Sequence, residues 1–211
     1  MLIHGTAAKA LAGYRSASAV LPAVGIDVVH EPDLHCVESV HRALAQLTGL
    51  PRTVPVTVGL ALGPGWRDAL SLIPARGRAV RFAVCGIDAP DAPALVDAIR
   101  MAVGEQCSFS WGYGTWRPVT DPWTAHLPGI LNVLLAAAAA VHGEGSAEIG
   151  AQLARTDPVD VVDAMCDLDE ETARRVRALL DGFAVPRVAP VVDALSDLDL
   201  LPKERQYTET L

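Results

Sequence analysis

The chain has 211 residues, 51% of them hydrophobic and 20% charged, and its 17 basic and 25 acidic side chains leave a net charge of −8. That is long enough to bury a real core, too apolar for a disordered chain, and too acidic for a surface built to hold nucleic acid. Cys36, Cys85, Cys107 and Cys166 stand too far apart for a zinc-site or thioredoxin spacing, so reduced thiols in a soluble cytoplasmic protein are expected.

Lys9 and Arg15 interrupt the first apolar residues, which does not suit a signal peptide. Leu2 to His4 reads as a short strand and Thr6 to Val20 as an Ala-rich helix. Pro22 to Val29 reads as a strand. Asp33 suits the N-cap of a helix running through Leu47, because a short carboxylate can accept from exposed backbone N–H groups, and Gly49 suits its end. Thr53 to Leu62 carries the strongest strand signal, with Val54, Val56 and Val58 in alternation. Trp66 to Ile73 reads as a short helix, Ala79 to Cys85 as a strand, and Pro90 to Val103 as a helix closed by Gly104. Cys107, Phe109, Trp111 and Tyr113 then alternate with small residues, a period-2 pattern with one large apolar face.

Strands and helices alternating at this spacing predict βα units and a mainly parallel sheet. The alternative is a ferredoxin-like βαββαβ core, which follows if Trp66 to Ile73 is only a loop turn. After a joint rich in Pro, Gly and Trp, residues 124–201 read as almost wholly helical. Leu127 to Val141 is shorter than the roughly 20 residues a membrane span needs, so Ile130 to Val141 is expected as a buried helix. Ser146 to Arg155 follows, Thr156-Asp157-Pro158 opens another helix, and Asp169-Glu170-Glu171 opens one that Gly182 stops. Val188 to Leu195 is the last helix, and residues 202–211 read as a mobile polar tail. The chain thus divides into an α/β region, 1–117, and a helical region, 124–201, expected to form one compact domain together.

Ligands of open α/β sheets bind outside the carboxyl ends of the strands. Those ends carry His4, then Asp27 with His30 and Glu31, and then Asp88. A histidine with a nearby carboxylate can shuttle a proton near neutral pH, so these five residues form the candidate catalytic pool. His30 to His35 is not a helical zinc motif: the two histidines are five apart and Pro32 interrupts them, so no metal site is assigned.

Half of the chain's ten aromatic residues fall between Phe109 and Trp123. Trp111, Tyr113 and Trp116, with Gly112 and Gly114 between them and Arg117 beside them, are the candidate walls of a substrate pocket, because large rings next to glycine can stack on a planar or sugar-like ligand. Arg67, Arg76, Arg78 and Arg81 read as a solvated basic rim. No Walker loop, GxGxxG or GxSxG is present, and no cofactor is assigned.

The expectation is therefore a small-metabolite-binding α/β protein, working as an enzyme through His and Asp acid–base groups, with neither nucleic acid nor membrane as partner. The alternative is a non-catalytic assembly protein that uses segment 109–123 as an interface to a protein partner or a second copy of itself.

Overall fold

A computed structural model describes residues 2–17, 25–29, 31, 34–51, 53–83, 91–112, 117–121, 127–185 and 187–201. Its elements, in chain order, are β1 (Leu2–Gly5), α1 (Ala7–Ala17), β2 (Gly25–Val28), α2 (Cys36–Gln46), β3 (Val56–Ala61), α3 (Trp66–Leu72), β4 (Ala79–Ala83), α4 (Ala92–Gly104), β5 (Phe109–Gly112), α5 (Ile130–Val141), α6 (Ser146–Ala154), α7 (Pro158–Cys166), α8 (Glu170–Leu179), β6 (Leu180–Ala184) and α9 (Ala189–Asp197).

The strands form one sheet in the order β1-β2-β3-β4-β5-β6, and every neighbouring pair is parallel. The α/β expectation holds. The ferredoxin-like alternative, which needs antiparallel neighbours, does not. Each strand is laid beside its predecessor in one direction. A right-handed crossover, the rule for parallel βαβ connections, then carries the helices between successive strands over the same sheet face.

The side chains agree with this one-sided arrangement. Ile26, Val56, Val58, Leu60, Val80, Phe82, Phe109 and Trp111 share one face and are buried with Ala10, Val40, Leu44, Leu70, Ile99 and Val133 of the helices. The register places His4, Asp27, Thr57, Gly59, Ala61, Ala79, Arg81, Ala83, Ser110 and Gly112 on the other face. Apart from His4, Asp27 and Arg81, those side chains are small. The second face thus carries small side chains and three large polar groups.

The helical region is tied to the α/β region through the core. α5 has ten buried residues, Ile130 and Val133 among them, and packs against α4, α6, α7 and α8. Leu134 is only half-buried. Asn132, wholly buried in α5, is satisfied by the Thr120 N–H at 2.8 Å and by donating to the carbonyls of Gln152 and Arg155 at 2.8 and 2.9 Å.

Two expectations are corrected. The helix predicted to run on to Gly182 ends at Leu179, and Leu180–Ala184 continues as a sixth strand beside β5. Asp181 and Gly182 are poor strand formers, so tertiary pairing overrides local preference there. The helix predicted from Asp33 starts at Cys36, after a turn in which Leu34 N–H donates to the Glu31 carbonyl at 3.1 Å. Asp33 itself and the 202–211 tail lie outside the described residues.

Candidate active site

His4 is the third residue of β1 and Asp27 the third of β2, and the parallel register sets them side by side. His4 Nδ1 lies 2.7 Å from Asp27 Oδ2. The Asp27 side chain is 3% exposed, whereas the His4 ring is 45% exposed. Arg81, the third residue of β4, makes an ion pair with the same Oδ2 from the opposite side, and its own side chain is 7% exposed. To do so it crosses β3, where its register partner is Gly59.

Gly112 on β5 completes the fit. A Cβ there would sit 2.8 Å from Arg81 Cδ and 3.1 Å from Cγ, so any side chain would push the arginine off its path. Buried charges are tolerated when they are paired and hydrogen-bonded. Asp27 and Arg81 meet that requirement for each other.

The pairing also selects a histidine tautomer. A carboxylate only accepts, so Nδ1 must carry the hydrogen that Asp27 receives, and the neutral ring then has its lone pair on Nε2. Asp27 Oδ1, by contrast, is buried with no hydrogen-bond partner among the described residues. An unsatisfied buried acceptor costs free energy unless a water or ligand supplies a donor.

The remaining candidates are placed elsewhere or fall outside the described residues. Glu31 pairs with Arg42 of α2 at 3.4 Å. His30, Asp88, Tyr113 and Trp116 lie outside the described residues. Trp111 is 1% exposed, on the helix-covered face, edge-on to Phe82 at 5.8 Å, so it is a core residue and not a stacking wall. Arg117 forms an ion pair with Asp121 and lines an apolar cleft with Pro118, Val119, Pro158, Ala194 and Leu198. His35 packs against Gly65, whose φ of +78° and lack of a Cβ make room for the ring. Among the described residues no three His, Cys, Asp or Glu side chains come together as a metal would require.

Arg81 is the residue that sequence reasoning missed, and with Arg78 it corrects the solvated-rim expectation: the two are 5% and 9% exposed. The signal was available. Arg81 stands between Val80 and Phe82 in an alternating strand, which puts it on the face opposite to two core residues.

Two thiols are held as inert packing groups. Burial raises the Cys36 thiol above its usual value and pushes Cys107 up to about 11. Comparison with known protein families, characterised proteins and solved structures finds no match. No helix among the described residues is long and apolar enough to cross a membrane.

Proposed function

We propose that the protein is an enzyme that binds a small metabolite on the sheet face that carries Asp27 and Arg81, and uses His4 as its acid–base group. The observation that supports this most is the His4 Nδ1 to Asp27 Oδ2 contact of 2.7 Å, with a half-exposed ring backed by a buried carboxylate. In this reading Nε2 takes a proton from the substrate and returns it later in the cycle. Asp27 orients the ring and stabilises the imidazolium formed in between. Arg81 is a positioning residue that acts through its ion pair with Asp27. Thr57, Ala61, Ala83 and Ser110 are small side chains on the same face, where larger aliphatic residues would crowd a ligand.

The assembly reading, with segment 109–123 as an interface, has to do without Phe109 and Trp111, which are 0% and 1% exposed.

The test is a depletion screen. The protein is incubated with a mixed set of small metabolites and losses are followed by mass spectrometry, for the parent and for His4→Gln. The expected result is a compound consumed by the parent and lost about 100- to 10,000-fold more slowly in the variant, the usual scale for a general acid–base group. Parent-like turnover in His4→Gln contradicts the proposal.

A further inference from the structure

An open cavity of about 340 Å3 lies at the amino ends of β3, β4 and β5, the opposite end of the strands from the usual ligand position. Its size falls within the range of small-ligand pockets, roughly 300–1,000 Å3. Its polar wall is formed by Thr57, Arg78, Gln106, Ser108 and Asp181.

Each of these groups has a defined hydrogen-bonding state. Arg78 donates to the carbonyls of Val54 at 3.0 Å and Leu50 at 3.5 Å, so its position is fixed by the protein. Gln106 Nε2 donates to the Val103 carbonyl at 2.8 Å, which leaves its amide oxygen as the group to offer a ligand. Phe109 pairs with Leu180 but Ser110 pairs with Gly182, so Asp181 is the extra residue of a β-bulge. Bulges re-aim side chains, and this one sets a carboxylate on the cavity wall. The side chains of Thr57, Ser108 and Asp181 make no hydrogen bond among the described residues.

We propose that this cavity binds a small uncharged polyhydroxylated molecule, of the polyol or monosaccharide class. Hydroxyl groups can donate to Asp181 and to the Gln106 oxygen, and can accept from Thr57 and Ser108. One fixed cation and one carboxylate on the same wall give no preference for net charge. Arg78 commits two of its five N–H donors to backbone carbonyls, so a zwitterion's carboxylate is the competing ligand that amino-acid controls must test. Neither His4, Asp27 nor Arg81 lines the cavity, although Thr57 belongs both to its wall and to the sheet face that carries them.

The experiment is saturation-transfer NMR and titration calorimetry with glycerol, myo-inositol, ribose and glucose, and with glycine and alanine as zwitterionic controls. The proteins are the parent, Asp181→Ala, Ser108→Ala and His4→Gln, each checked by a thermal melt. The expected result is millimolar or tighter binding of at least one polyol by the parent, weakened about tenfold by Asp181→Ala or Ser108→Ala at an unchanged melting temperature, and unaffected by His4→Gln. The proposal is overturned if no polyol binds, if the amino acids bind better, if neither wall variant weakens binding, or if His4→Gln abolishes it. Loss of turnover in His4→Gln with polyol binding intact bears on the proposed chemistry alone.

Discussion

Arg81 on β4 reaches over the full width of β3 to share one carboxylate oxygen of Asp27 on β2 with His4. Both partners are almost wholly buried, on a face where their register neighbours are Thr57, Gly59 and Ser110. Such a pair is weak evidence for stability by itself, because desolvating two charges offsets much of their attraction. Breaking it is another matter. Asp27→Asn removes the negative charge that faces a buried guanidinium and should lose about 3–5 kcal/mol. Removing both charges, as Asp27→Leu with Arg81→Met, should recover most of that loss. Chemical denaturation of the three proteins measures the difference; equal losses in the single and double variants would contradict the buried pair.

Much of this arrangement was legible in the residues. Period-2 alternation locates the strands and puts His4 and Asp27 at strand ends. Arg81 is harder to see, because in sequence it belongs to a cluster of arginines that reads as a surface rim, and only its place between Val80 and Phe82 gives it away. The sixth strand was illegible for a different reason: Leu-Asp-Gly-Phe-Ala has no strand pattern of its own and is held by its pairing with β5. The one-sided placement of helices depends on strand order, which no local pattern encodes.

Trp111 gives a second test. It packs edge-on to Phe82, and its Nε1 is buried without an acceptor among the described residues. Trp111→Ala should cost about 3–5 kcal/mol through the cavity it opens. Trp111→Phe keeps much of the ring and removes the unsatisfied donor, which is worth about 1–3 kcal/mol and offsets the lost volume. Thermal melts should therefore show the Phe variant close to the parent and the Ala variant far below it. Equal losses would place Trp111 outside the core.

Thiol chemistry separates the cysteines. Cys107 is buried, with its thiol pushed up to about 11, and the buried Cys36 is raised by the same cause, whereas Cys166 is exposed. The thiolate is the reactive form. Alkylation of the native protein at pH 8, read by peptide mass spectrometry, should label Cys166 well before Cys36 or Cys107. Early labelling of Cys107 would show that β5 is not packed as described.

Acid should loosen the start of α8. The Thr172 hydroxyl and backbone N–H both donate to Asp169, at 2.6 and 2.9 Å, and hold its carboxyl below the usual value of 3.8. A depressed folded value means that this contribution is fully present above the unfolded value and is lost as pH falls through the folded one. Asp169→Asn should therefore be less stable than the parent at pH 7, and the difference should shrink below about pH 4. A difference that stays constant down to pH 2 would rule out the cap as its source.

The central claim is that Asp27 orients His4 for proton transfer, and the imidazole tautomer reports on it most directly. Long-range 1H–15N correlation spectra of the parent, recorded at a pH where the ring is neutral, should show His4 with its hydrogen on Nδ1. In Asp27→Leu, which removes the acceptor, the spectra should show a mixture of both tautomers or the Nε2–H form. A parent His4 already carrying its hydrogen on Nε2, or a tautomer unchanged by Asp27→Leu, would contradict the account.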